Sequence, residues 1–237
     1  MQIAPIPTLS EEINDIRLRT ADIVANRIIP NEGVIYRGGE KSKKLRQEIN
    51  TEVKKQGLWA PHLPEEYGGM GNGFLVHAYM NEILAWSPLG NRLFGVIAPN
   101  SGNQKILVKY GTEEQKKKYL PKLTSGEWFG SYCLTEPTAG SDANSGKTKA
   151  ELSDDGTHYL ISGHKIWISN AGFANLFIVF ARIEDDENIT GFIVPNDPNN
   201  GIKLGEEEKK LGIRSSSTRQ VFFEKTKVPV ENLLGER

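Results

Sequence analysis

The chain has 237 residues and balances 29 lysines and arginines against 30 acidic residues, for a net charge of -1. That balance excludes the basic footprint of a nucleic-acid-binding domain or a polybasic membrane patch. No stretch approaches the roughly 20 apolar residues of a membrane span, and the single cysteine, Cys133, excludes an intrachain disulfide.

A length of 237 residues with 38% hydrophobic and 25% charged residues suits one large or two small globular domains. The start, Met1-Gln2-Ile3-Ala4-Pro5-Ile6-Pro7, lacks a charged segment followed by an apolar core, so it does not read as a secretory signal. The expected location is cytoplasmic, or mitochondrial for a mature eukaryotic chain.

The first half reads as helices. Leu9, Ile13, Ile16, Thr20, Ile23, Val24 and Ile28 recur at three- and four-residue spacing, which predicts an amphipathic helix that Pro30 limits. Ser10 or Thr8 can cap its start. A second helix carries Leu45, Ile49 and Val53, with Gly57 as its stop. Pro61 to Gly73 is a turn-rich loop. A third helix runs from about Phe74 to Trp86 with Phe74, His77, Met80, Ile83 and Leu84 on one face, and a fourth from about Leu93 to Tyr110. Thr112-Glu113-Glu114-Gln115 is a capping box that opens a basic helix to about Leu123.

The character changes near Gly126. Phe129–Leu134, Thr148–Leu152, His158–Trp167, Leu176–Arg182, Ile189–Val194 and Val221–Glu224 are rich in Ile, Val, Phe and Tyr and read as strands. Asp154-Asp155-Gly156 is a hairpin signal between two of them. Helices followed by a run of strands predict an α+β chain, with a helical domain over 1–125 and a β domain over 126–237.

Several site classes find no support. The stretch Gly68-Gly69-Met70-Gly71-Asn72-Gly73 has no preceding strand and no Gly-Lys-Ser/Thr ending, so it reads as a loop between helices. His62, His77, His158 and His164 lack metal-ligand spacing. No G-x-S-x-G elbow is present. Lys41 to Lys44 and Lys116 to Lys118 read as solvated helix faces. Cys133, between Tyr132 and Leu134 in an apolar strand, reads as packing.

Two stretches carry the strongest signals. Tyr132-Cys133-Leu134-Thr135-Glu136-Pro137-Thr138-Ala139-Gly140-Ser141-Asp142 runs from a strand into a loop of hydroxyls and small residues, where backbone and hydroxyl donors can approach a polar ligand. On spacing alone, an ordinary polar loop is an equal reading. Lys165-Ile166-Trp167-Ile168-Ser169-Asn170 sets a Trp two residues before a Ser at a strand end. That pair can offer an aromatic face and a hydroxyl to one planar ligand, although Trp167 taken alone reads as core rather than as a cofactor platform.

These stretches, in order, resemble the acyl-CoA dehydrogenase family. Pro64-Glu65-Glu66-Tyr67-Gly68-Gly69 is similar to its P-E-x-Y-G-G turn, Gly102 to Leu120 to a helical G-(S/T)-x-x-Q-K region, Tyr132 to Asp142 to Y-C-L-T-E-P-x-A-G-S-D, and Gly163 to Asn170 to G-x-K-x-W-I-(S/T)-N. Lys210 to Arg214, Thr218-Arg219 and Val228 to Gly235 resemble the end of the family's middle domain. The resemblance implies an N-terminal helical domain, a middle β-barrel-like domain and FAD as cofactor. The implied reaction is oxidation of acyl-CoA to trans-2-enoyl-CoA, with an electron-transfer flavoprotein as acceptor and a tetrameric or dimeric assembly.

Residue by residue, the resemblance implies that Tyr132, Leu134 and Thr135 bond the flavin ring and that Gly140 and Ser141 lie near the pyrophosphate, Ser141 also near the substrate. It implies that Trp167, Ile168 and Ser169 line the ring. Glu136 does not match the family's base, which lies in a C-terminal helical bundle. The chain stops at Leu234-Gly235-Glu236-Arg237, before such a bundle, so no catalytic residue is assigned. An acyl-CoA oxidase or flavin monooxygenase of the same fold, or a non-catalytic fragment or interaction module, remain alternative readings.

Overall fold

The computed structural model describes residues 3–184, 186–213 and 216–236. Met1, Gln2, Arg214 and Arg237, which fall in stretches discussed above, lie outside the described residues. Contacts divide the chain into two compact units, Met1–Ser101 and Gly102–Arg237.

The first unit is helical. Helix α1 (Glu11–Ile23) is capped by Ser10, whose hydroxyl accepts from the Ile13 N–H, and carries Glu11 and Glu12 in its first turn. It continues as a π-helical segment, Val24–Ile28, and a 3-10 turn, Ile29–Asn31, that holds Pro30. The short α2 (Glu32–Arg37) was not foreseen. Helix α3 (Gly39–Lys55) buries Ile49 and Val53, and Gly57 follows at φ 67°, as the stop signal required. Helix α4 (Gly73–Leu84) lies against α1 and buries Val76, Met80, Ile83 and Leu84. Phe74, expected on that face, is 81% exposed. The single helix expected over Leu93–Tyr110 is two, α5 (Gly90–Leu93) and α6 (Asn100–Tyr110), with α6 beginning directly after Pro99. The glycine-rich stretch is a turn: Gly68, Gly71 and Gly73 all have positive φ, and the Gly71 N–H donates to the Leu63 carbonyl.

In the second unit, α7 (Glu113–Ser125) opens with the expected capping box. Thr112 Oγ1 accepts from the Gln115 N–H, and Gln115 Oε1 accepts from the Thr112 N–H. Gln115 Nε2 also donates to the Glu231 and Leu233 carbonyls, and Tyr119 bonds Asn232. Asn103 donates to the Ser131 carbonyl. These bonds group the helical residues from Gly102 onward with the strands that follow.

The strands are β1 (Gly130–Cys133), β2 (Lys149–Leu152), β3 (His158–Ser169), β4 (Leu176–Ile183), β5 (Ile189–Pro195), β6 (Ile202–Leu204), β7 (Thr218–Pro229) and β8 (Leu233–Leu234). They form one eight-stranded sheet in the order β6-β7-β3-β2-β4-β5-β8, with β1 also on β4. Helices followed by a sheet domain match the expected α+β order. The barrel-like expectation needs correction on one point: the hydrogen-bonded path is open, ending at β6 and β8 rather than closing on itself. The hairpin signal holds, since β2 and β3 pair antiparallel around Asp154 to Gly156, with Gly156 at φ 67°.

Two features of this topology position the site. First, β1 and β2 both run parallel to β4, β1 along Leu176 to Val179 and β2 along Arg182 and Ile183. The loop from Leu134 to Thr148 leaves and rejoins the sheet at that break. Second, β3 and β7 change register between Lys165 and Ile168, where three steps on β3 match two on β7 (Lys165 opposite Val221, Ile168 opposite Arg219). This bulge carries Trp167. The core beneath consists of Cys133, Ile161, Ile168, Phe177, Val179, Phe192, Val221 and Val228 among others.

Candidate functional site

The two sequence stretches meet. The Ile166 N–H donates to the Thr135 carbonyl at 2.9 Å, Ser131 Oγ donates to the Ser169 carbonyl at 2.8 Å, and Asn170 Nδ2 donates to the Gly130 carbonyl at 3.1 Å. β1 is therefore tied to β3 on both sides of the bulge, at its start through Gly130 and Ser131 and just past its end through Thr135.

At this junction Trp167 has φ 59° and is 59% exposed. A left-handed conformation is uncommon for a bulky residue and needs surrounding structure to hold it. Here the extra residue of the bulge turns the indole out of the alternation that would bury it. Ser169 and Thr135 are half-buried, and neither hydroxyl makes a hydrogen bond with the described residues; the same holds for the Leu134 N–H. Tyr132 is half-buried against Phe180, ring centroids 5.0 Å apart, and burial raises its hydroxyl above the ordinary range. Ile168 is a core residue at 1% exposure, so only its backbone is available to a ligand.

Gly140 and Ser141 are exposed farther along the loop, and no hydrogen bond links them to the Trp167 bulge. A Cβ at Gly140 would meet no protein atom within 4 Å. Protein packing therefore does not require glycine there.

Glu136, directly after Thr135, has the opposite environment. It is 5% exposed, and its carboxylate accepts from the Lys147 N–H (2.6 Å), the Thr148 N–H (3.1 Å), Thr148 Oγ1 (2.5 Å) and Lys165 Nζ (2.7 Å). Burial alone would raise this carboxyl; the bonds from Lys165, Thr148 and the Lys147 N–H outweigh it and hold the group below the ordinary carboxylate range. Lys165, 1% exposed, also donates to the Leu134 carbonyl at 3.1 Å. Burial lowers its ammonium against the opposing pull of Glu136. Glu136 also closes the turn through paired backbone bonds with Ala139, 3.0 and 3.2 Å long.

The sequence reading gave Lys165 no role. Its signal was the period-two register of β3, in which Tyr159, Ile161 and Lys165 all point inward. A lysine at an inward position demands a partner. Burial raises the Cys133 thiol strongly, in keeping with a packing role. No group of three or more His, Cys, Asp or Glu residues suited to a metal occurs among the described residues, and none of their helices is long and apolar enough to cross a membrane.

Comparison with known proteins agrees with this architecture. Residues 10–127 match "Acyl-CoA dehydrogenase, N-terminal domain" and residues 131–226 match "Acyl-CoA dehydrogenase, middle domain". The chain belongs to the acyl-CoA dehydrogenase family. It is 42% identical over 192 residues to the human mitochondrial very long-chain specific acyl-CoA dehydrogenase, covering 78% of this chain and 29% of that protein. An acyl-CoA dehydrogenase from Bacillus anthracis complexed with FAD superposes with a TM-score of 0.77 at 40% identity, covering 99% of this chain and 40% of that one. Butyryl-CoA dehydrogenase from Megasphaera elsdenii superposes at 0.75 with 30% identity, covering all of this chain and 61% of the other. The chain thus spans less than two thirds of each of these relatives.

Proposed function

We propose that this chain forms the flavin-cradling part of an FAD-dependent acyl-CoA dehydrogenase, with residues 1–125 as its N-terminal domain and 126–237 as its middle domain. One observation carries the reading: the Leu134 N–H and the Thr135 and Ser169 hydroxyls, all unengaged among the described residues, gather at the junction that turns Trp167 outward. A planar ring system with acceptor atoms at its edge needs such an aromatic face and a few fixed donors.

Leu134, Thr135 and Ser169 would donate to the ring, the Tyr132 backbone would border it, and Trp167, with the backbone of Ile168, would line it. Donors so placed favour the negative charge a flavin gains on reduction. Gly140 and Ser141 would admit the pyrophosphate and the acyl-CoA to the open loop. When bound, FAD supplies the hydride acceptor for oxidation of the α,β carbon–carbon bond. Glu136 is unsuited to removing a substrate proton, because its carboxylate is buried and already accepts four hydrogen bonds. An electron-transfer flavoprotein as acceptor and a homo-oligomeric assembly belong to the same proposal.

The test is to purify the chain and titrate it with FAD while following flavin fluorescence, and to add acyl-CoA without oxygen to the full-length gene product. Quenching is expected in the first measurement and bleaching of the yellow colour in the second. A chain that leaves flavin fluorescence unchanged refutes the cradle, and a yellow full-length protein that no acyl-CoA bleaches refutes the dehydrogenation.

A further inference from the structure

Beside the junction lies a buried assembly that the flavin reading leaves without a task. Glu136, Lys165 and Thr148 form a closed polar cluster, and two glycines make room for it. A Cβ at Gly163 would sit 2.3 Å from Thr148 Oγ1, and one at Gly146 would sit 3.1 Å from Glu136 Oε1. The cluster holds three parts of the site together. Lys165 belongs to β3, two residues before Trp167, and bonds the Leu134 carbonyl at the end of β1. Glu136 follows Thr135 directly and closes the turn to Ala139. Lys147 and Thr148 anchor the far end of the loop at the start of β2. A buried ion pair of this kind contributes little net stability compared with apolar packing. Its contribution lies in fixing one arrangement of the segments it joins.

We propose that the Glu136–Lys165 pair is a positioning device. It holds the loop so that the Leu134 N–H and the Thr135 hydroxyl face the Trp167 bulge, and it does so without touching the ligand. Lys165 bonds the Leu134 carbonyl and so fixes the peptide that carries the Thr135 N–H; the Leu134 N–H belongs to the preceding peptide and is held through the Leu134 backbone that joins the two. The carboxylate pulls the residue after Thr135 into the core, which leaves Thr135 at the surface. The proposal rests on the flavin reading for the identity of the ligand, though not for the mechanical role.

The test compares Glu136→Gln and Thr148→Val with Val228→Ala, a core truncation on β7. Val228 belongs to the core rather than to the cluster, so Val228→Ala serves as a control for stability loss alone. Two readouts are taken on the whole chain: FAD affinity, and amide hydrogen exchange at Glu136 and Ala139. Both cluster variants should weaken FAD binding by about 10- to 100-fold, the range that outer-shell supports of a bound group carry in metal sites. They should also speed exchange at Glu136 and Ala139 while leaving the β4 amides protected. Val228→Ala should lower the melting temperature with little change in either readout. FAD affinity that falls no further in the cluster variants than in Val228→Ala overturns the proposal, as does unchanged protection of the turn. If the unaltered chain binds no FAD, the flavin reading falls. Exchange then decides the mechanical role alone: lost protection in Glu136→Gln upholds it and retained protection overturns it.

Discussion

Thr135 and Glu136 are neighbours in the chain, yet their side chains meet opposite environments. Glu136 is buried with every donor around it engaged, while Thr135 sits beside it with a hydroxyl bonded to nothing in the described residues. The contrast repeats on β3, where Lys165 is 1% exposed and Trp167, two residues on, is 59% exposed. In a regular strand both would point the same way. The bulge separates them, sending the lysine to the anchor and the indole to the surface. A binding loop needs both kinds of residue: one set spends its interactions on holding the backbone, and the other keeps its polar groups and aromatic face available.

The sharpest way to break this contrast is to remove the anchor's cation. Lys165→Met leaves the Glu136 carboxylate buried without its ionic partner and frees the Leu134 carbonyl. Removing one member of such a pair costs roughly 3–5 kcal/mol, read as a shift in the urea unfolding curve. The double variant Lys165→Met/Glu136→Gln should recover part of that loss, because the uncompensated charge is gone. A double variant as unstable as the sum of the two singles would mean that the residues act separately.

Gly163→Ala attacks the same anchor through packing. Its Cβ would collide with Thr148 Oγ1, Cβ and Cγ2 at 2.3–2.6 Å. Overpacking of this kind costs about 1–3 kcal/mol, and Thr148 must draw back from Glu136 to relieve it. Combining Gly163→Ala with Thr148→Ala should restore most of the lost stability, measured by the same unfolding curves.

Acid tests the anchor without mutation. The folded state holds the Glu136 carboxyl below its ordinary range. The carboxylate's contribution to stability is therefore fully present above the unfolded carboxyl's titration, near pH 4.3. It is lost as pH falls through the lower folded value. Glu136→Gln should flatten that acid limb of stability against pH, and an unchanged limb would mean that other carboxylates carry it.

Much of the helical part was legible in the sequence, because capping and stop signals are local. Ser10, the Thr112–Gln115 box and Gly57 all act where their patterns place them. The misses have local causes too. The helix expected over Leu93–Tyr110 parts at Pro99, and α2 is only six residues long. In the sheet, β6 and β8 span three and two residues, too few to show alternation. β7 runs well beyond Val221–Glu224 because Lys225, at φ 50°, forms a bulge and pairing resumes past it. The site was legible as residue types in two stretches. That Ile166 bonds Thr135, and that a lysine between them is the anchor, depends on pairings 29 to 31 residues apart along the chain. Those are tertiary facts, which no local pattern encodes.

The smallest expected effect on stability separates the two halves of the comparison most cleanly. Trp167 holds a left-handed backbone that costs a non-glycine residue about 1–2 kcal/mol, and most of its indole is exposed. Trp167→Gly relieves that conformation while losing the little burial the indole has, so the unfolding free energy should stay within about 0.5 kcal/mol of the parent. FAD affinity should nevertheless fall roughly fivefold, the equivalent of about 1 kcal/mol of aromatic contact, and Trp167→Phe should restore part of it. Strain kept at a bulged, exposed Trp has no purpose in folding. If Trp167→Gly instead lost several kcal/mol of stability with its flavin affinity intact, the indole would belong to the anchoring set. The division between holding and offering residues would then have to be redrawn at the bulge.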